Sequence, residues 1–189
     1  MSGSEKPIPA RPGRGATAAR LAEVLRVDHA GELAAVHIYR GQHAVFSRAR
    51  GRAALGADMR RMQEQEAVHL AAFDRLLTDK QVRPSLLAPV WRAAGFALGA
   101  GTALLGDKAA HACTEAVESV IGEHYAGQID ELAEREPALA EALSGFRAEE
   151  LEHHDRAIEA GARQAPGYPL LSAVIRAGCR AAIKVAEKV

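Results

Sequence analysis

Two Glu-x-x-His pairs, Glu66 with His69 and Glu150 with His153, interrupt apolar stripes at helical spacing, and this feature constrains the fold most. Residues three apart on a helix point the same way, so each pair offers a carboxylate and an imidazole side by side. Their stripes read Met59, Met62, Glu66, His69, Phe73, Leu76 and Leu139, Leu143, Phe146, Glu150, His153, Ala157, Ala160. Each pair follows a helix with one glutamate in its stripe. Those stripes are Leu21, Leu25, Asp28, Glu32, Ala35, Tyr39, Gln42, Phe46 and His111, Thr114, Glu118, Ile121, Tyr125, Gln128, Leu132. A buried carboxylate is tolerable only with a compensating partner, so the polar middles of these four faces must meet.

An internal repeat supports that reading. Arg26 to Gln42, RVDHAGELAAVHIYRGQ, and Ala112 to Gln128, ACTEAVESVIGEHYAGQ, lie 86 residues apart and align without gaps. They share Ala30/Ala116, Glu32/Glu118, Tyr39/Tyr125, Gly41/Gly127 and Gln42/Gln128. The register selects Glu118 over its neighbours Glu115 and Glu123. A single Glu-x-x-His pair is weak evidence, since about 0.7 arise by chance in a chain of this composition. Two such pairs, each preceded by a repeated glutamate, form a much stronger signal.

Taken in order, the chain opens with Met1 to Ala16, rich in Pro, Gly, Ser and Arg, which reads as a disordered tail. The folded domain is expected over residues 17–189. Helix one runs from Thr17, its N-cap, to Arg50, and helix two ends near Lys80. Arg83 to Gly106 is an apolar crossover dotted with glycine. It either packs on the bundle or lies in a membrane interface with Trp91 and Arg92 at the headgroups. Helix three covers Asp107 to Arg135. Helix four starts near Pro137 and ends at Gly161 and Pro166. A last helix, Leu170 to Val189, sets Arg176, Arg180, Lys184 and Lys188 on one basic face, either solvated or drawn to anionic lipid. The chain has no uninterrupted run of about 18 to 20 apolar residues of the kind a spanning helix needs.

Composition narrows the class further. Lys+Arg and Asp+Glu both total 24, so no basic field recommends nucleic acid. Aromatics at 4% with abundant alanine favour closely packed helices over a sandwich or barrel. Cys113 and Cys179 lack metal-ligand spacing and read as buried small hydrophobes in a reducing compartment.

The order Glu, Glu-x-x-His, Glu, Glu-x-x-His is the ligand set of ferritin-like di-iron or di-manganese bundles. The expected fold is therefore all-α: a ferritin-like four-helix bundle with a long apolar crossover and an extra C-terminal helix. Carboxylate oxygen and imidazole nitrogen suit iron or manganese, and four carboxylates balance two divalent cations. The candidate ligands are Glu32, Glu66, His69, Glu118, Glu150 and His153. His29, His37, His43 and His111 are expected to be hydrogen-bonded or exposed. His124 and His154 are candidates for orienting a ligand glutamate, and Asp28 and Asp155 for holding ligand imidazoles. Tyr39 and Tyr125 are assigned to core packing.

RVDHAGE at Arg26 to Glu32, IYRGQ at Ile38 to Gln42, EQEAVHL at Glu64 to Leu70 and EELEHHD at Glu149 to Asp155 resemble the demethoxyubiquinone hydroxylase family. ACTEAVESVIGEHYAGQI and AGCRAAIKVAEKV resemble it too, and the likeness spans about residues 20 to 189. The resemblance implies a di-iron monooxygenase that hydroxylates a polyprenylated methoxy-methyl benzoquinol with O2 in ubiquinone biosynthesis. Glu66 and Glu150 would bridge two iron ions, with Glu32 and Glu118 terminal. The reductant would be NADH or the quinol itself. The implied partners are the membrane surface and a lipid-binding protein of the same pathway, with a homo-oligomer left open. The implied location is the cytoplasmic side of a bacterial inner membrane, in preference to the mitochondrial one. Two other di-iron roles compete, hydroxylation of a tRNA base and iron oxidation and storage.

Overall fold

The computed structural model describes residues 18–188; the expected disordered tail and the Thr17 cap lie outside them. Six helices account for the fold, with no strand among the described residues. They are α1 (Ala18–Phe46), α2 (Ala53–Asp79), α3 (Ala88–Leu104), α4 (Asp107–Leu132), α5 (Pro137–Glu159) and α6 (Tyr168–Ala186), with one 3-10 turn, Ala162–Gln164. α1 pairs with α2 and α4 with α5 as two hairpins. The two assemble into the all-α, ferritin-like bundle that the four stripes predict.

Three helix ends differ from expectation, each for a local reason. α1 stops at Phe46, four residues early, because the chain turns through Ser47 to Arg52 with Gly51 at φ 77°. α4 stops at Leu132, where Arg135 and Glu136 both donate to the Leu132 carbonyl and close a turn before Glu136, at φ −133°, ψ 60°, leads into Pro137. α6 starts two residues earlier than Leu170, with Pro169 in its first turn, where no backbone N–H is needed.

The crossover packs on the bundle. It contains α3, laid along α1 at a distance only glycine permits. A methyl group added at Gly99 would collide with the Ile38 carbonyl oxygen, and one at Gly95 with that of Ala34. Trp91 is half-buried, donates its indole N–H to Ser85 Oγ at 3.1 Å and faces α1 and α6, instead of standing outward at headgroup level. Arg92, Leu86, Val90, Leu104 and Leu105 are exposed. No helix among the described residues is long and apolar enough to cross a membrane.

Two apolar clusters cap the bundle interior. Leu25, Phe73, Leu77, Leu132 and Leu143 fill one end, and Tyr39, Phe46, Met59, Met62 and Ala110 the other. Cys113 and Cys179 join a third cluster against α6; burial pushes the Cys113 thiol up to about 12 and the Cys179 thiol to about 11, so neither forms a thiolate near neutrality. The basic face of α6 is partly spent on α4: Arg176 reaches buried Glu115 at 2.5 Å and Arg180 reaches Glu123 at 3.0 Å.

Candidate metal centre

Between the two apolar ends lies a polar layer. Helical periodicity brings Glu32 of α1, Glu66 and His69 of α2, Glu118 of α4, and Glu150 and His153 of α5 to the inward face, all buried. Their ligand-type atoms fall into two overlapping groups. Glu32, Glu66, His69 and Glu150 place one such atom each within 4.8 Å of one another, and so do Glu66, Glu118, Glu150 and His153. Glu66 and Glu150 belong to both. His69 Nδ1 is 3.2 Å from Glu150 Oε1, and His153 Nδ1 is 2.9 Å from Glu66 Oε1.

What these atoms lack is informative. Oε2 of Glu32 and Glu118, both oxygens of Glu66 and Glu150, and Nδ1 of His69 and His153 are buried without a hydrogen-bond partner. Orphaned buried polar atoms are rare in proteins, and eight gathered in two overlapping groups are an arrangement that a pair of cations would satisfy. The donor set, carboxylate oxygen with imidazole nitrogen and no thiolate, suits iron or manganese. The residues fit a dinuclear centre.

Without a metal the layer holds protons instead. Burial raises the carboxyls of Glu32 and Glu118 well above the usual range, and the neighbouring carboxylates add to it. Burial also opposes ionisation of Glu66, but His153 and His69 overcome it and pull this carboxyl down to about 2. Burial alone would lower both imidazoles. Glu150, Glu32 and Glu66 instead raise His69, and Glu150 and Glu66 lift His153 to about 9.

Four residues hold this layer in roles that the helical stripes do not assign. Tyr39 donates its hydroxyl hydrogen to Glu118 Oε1 at 2.5 Å, and Tyr125 donates to Glu32 Oε1. Both tyrosines are core residues, as assigned, and each also holds a glutamate of the opposite repeat. The outer nitrogens of the histidines meet Glu149 and Gln65: His69 Nε2 lies 3.0 Å from Glu149 Oε2, and His153 Nε2 lies 3.2 Å from Gln65 Oε1. Gln65 and Glu149 each precede the glutamate of a Glu-x-x-His pair, 84 residues apart, a repeat that was there to be read.

The residues suggested for those tasks sit elsewhere. His124 contacts Asp28 at 3.3 Å and Gln128 at 2.9 Å, and His154 contacts Asp155 at 2.8 Å and Glu115 at 3.6 Å. Asp28 and Asp155 therefore partner His124 and His154, not the imidazoles of His69 and His153. His29 pairs with Asp74, while His37 and His43 donate to the carbonyls of Leu33 and Gly56.

Beside the layer, α1, α3, α4 and α6 enclose a cleft of about 90 Å³ with almost wholly apolar walls. Ala34, Ile38, Trp91, Val117, Ile121 and Ile183 line it, and Val117 is the neighbour in sequence of Glu118.

The chain as a whole resembles known proteins. The family described as "Ubiquinone biosynthesis protein COQ7" matches residues 19–186. The chain belongs to this family. It is 53% identical over 178 residues to a 3-demethoxyubiquinol 3-hydroxylase of Rhodospirillum rubrum, covering 94% of this chain and 82% of that one. It is 49% identical to the NADPH-dependent 3-demethoxyubiquinone 3-hydroxylase of Rattus norvegicus mitochondria, covering 88% and 76%. The 5-demethoxyubiquinone hydroxylase of Saccharomyces cerevisiae mitochondria is 42% identical over 189 residues, covering 92% and 80%. These COQ7 relatives are hydroxylases, which makes this chain an oxidoreductase of ubiquinone biosynthesis.

Proposed function

We propose that this chain hydroxylates the ring of a polyprenylated demethoxyubiquinol with O2, using two iron ions held by Glu32, Glu66, His69, Glu118, Glu150 and His153. The observation that carries this reading is the gathering of eight buried ligand-type atoms that make no hydrogen bond in a member of the COQ7 family. When bound, the iron pair supplies O2 activation. Glu66 and Glu150, which belong to both groups, would be common to the two ions, with Glu32 and His69 holding one and Glu118 and His153 the other. Residues 17–189 act as one metal-binding domain.

The remaining tasks fall to the chain itself. The apolar ends around Phe73 and Met59 keep bulk water from the centre, which strengthens every electrostatic contact inside. Tyr125 and Tyr39 fix the rotamers of Glu32 and Glu118. The apolar cleft offers an apolar path for the quinol next to Glu118; at about 90 Å³ it has to widen to take the substituted ring, and exclusion of apolar surface from water supplies binding. Electrons come from a nicotinamide nucleotide or from the quinol, and the name of the rat relative specifies NADPH.

The exposed Leu86, Leu104, Leu105, Leu170 and Val174 suit a peripheral position on a membrane; the cytoplasmic side of the inner membrane, and a lipid-binding partner that delivers the substrate, complete the proposal. A tRNA base or stored iron gains no support from family membership. Quinone profiling of cells lacking this protein tests the proposal. Demethoxy quinone is expected to accumulate and to clear on return of the wild type but not of Glu150→Ala. Normal quinone content in the deletion strain rejects the assignment.

A further inference from the structure

The two candidate metal positions are related by the internal repeat, yet their surroundings differ in charge. Nδ1 of both histidines points inward without a hydrogen-bond partner. An imidazole that binds metal through Nδ1 carries its hydrogen on Nε2 and donates it outward. His69 donates to a carboxylate, Glu149, whereas His153 donates to the neutral amide oxygen of Gln65. Glu149 and Gln65 occupy equivalent places in the repeat, so a negative charge on one side faces a neutral group on the other.

We infer that Glu149 is a positioning residue that makes the two metal positions unequal: the Glu32/His69 position fills first and holds its ion more tightly than the Glu118/His153 position. This rests on the dinuclear reading above. A carboxylate accepting the Nε2 hydrogen increases electron donation through the imidazole and adds a negative charge near the ion. Glu149 is half exposed, so solvent screens part of that charge and the expected difference is about tenfold.

The experiment is an anaerobic titration of the metal-free full chain with cobalt(II), followed by calorimetry and visible absorbance. The wild type should bind two ions in two steps separated by about tenfold. Glu149→Gln should weaken the first step until the two merge, with unchanged circular dichroism. Gln65→Glu should tighten the second step by about tenfold, a gain that a merely structural role would not produce. Fewer than two ions bound by the wild type overturns both the dinuclear reading and this inference. Two ions of equal affinity in the wild type, or steps unmoved by both substitutions, overturn this inference alone.

Discussion

Tyr125 of α4 donates its hydroxyl hydrogen to Glu32 of α1, in the other half of the repeat, while Tyr39 of α1 does the same for Glu118 of α4. Each hairpin thus holds the lone glutamate of the other. Removing one hydroxyl leaves a buried carboxylate oxygen without its donor and frees that glutamate to rotate. Tyr125→Phe is expected to cost about 1–3 kcal/mol of stability and to weaken metal binding about 10- to 100-fold. Thermal melts and metal titration of the variant check it. A variant that loads and melts like the wild type would show that the tyrosine only packs.

The metal-free protein should lose stability as pH rises. Glu32, Glu118, His69 and His153 all have raised values in the folded chain, so the native state binds more protons than the unfolded one. The share from His153 is complete below its ordinary 6.5 and is lost as pH climbs through about 9. The two carboxyls act in the same sense from their ordinary 4.5 upward. Glu66, pulled down to about 2, has the opposite sign: its contribution is present above 4.5 and lost toward pH 2. Bound metal must displace the extra protons, so loading near neutral pH releases protons and flattens the profile. Calorimetric melts of metal-free and loaded protein across pH 5.5 to 9 decide this. A metal-free melting temperature that is constant over that range contradicts it.

The contact of α3 with α1 makes a sharp claim about single methyl groups. Gly99→Ala would drive a methyl into the Ile38 backbone, which cannot rotate away, and should cost about 2–3 kcal/mol. Gly101→Ala, two residues on, meets nothing within 4 Å and should instead gain up to about 1 kcal/mol from helix propensity. Denaturant unfolding of the two variants separates them by sign.

The inward placement of the six candidate residues and the helix order were legible because both rest on periodicity. A glutamate at a stripe position must point inward whatever the neighbouring helix does. The roles of Tyr39, Tyr125, Gln65 and Glu149 depend instead on how one hairpin is rotated against the other, which a stripe does not encode. His124 and Asp28 show the same limit: both lie near the ligands in sequence, yet they pair with each other one turn beyond them. Of the two readings of the crossover, packing on the bundle is the one seen at Trp91; hydropathy marks α3 as apolar without saying which side meets α1. The glycines did carry that information, because Gly95 and Gly99 one turn apart mark the face that touches another backbone.

The basic face of α6 offers a last test, because its arginines are not equivalent. Glu115 is fully buried, and Arg176 is the cation that reaches its Oε1 at 2.5 Å, with Ser172 also donating to the carboxylate at 3.4 Å. Arg180 and Glu123 both stand more than half in solvent. Cutting the first pair leaves a buried carboxylate with only Ser172 and, at 3.6 Å, His154; cutting the second returns two charges to water. Arg176→Ala is therefore expected to destabilise by about 2 kcal/mol, discounted from the fully buried case because Arg176 is partly exposed. Arg180→Ala should stay within about 0.5 kcal/mol of the wild type. Urea unfolding at low and high salt distinguishes the two. Equal costs would mean that α6 is held by its apolar contacts with Cys113 and Val117 alone, and that its basic face is free for another surface.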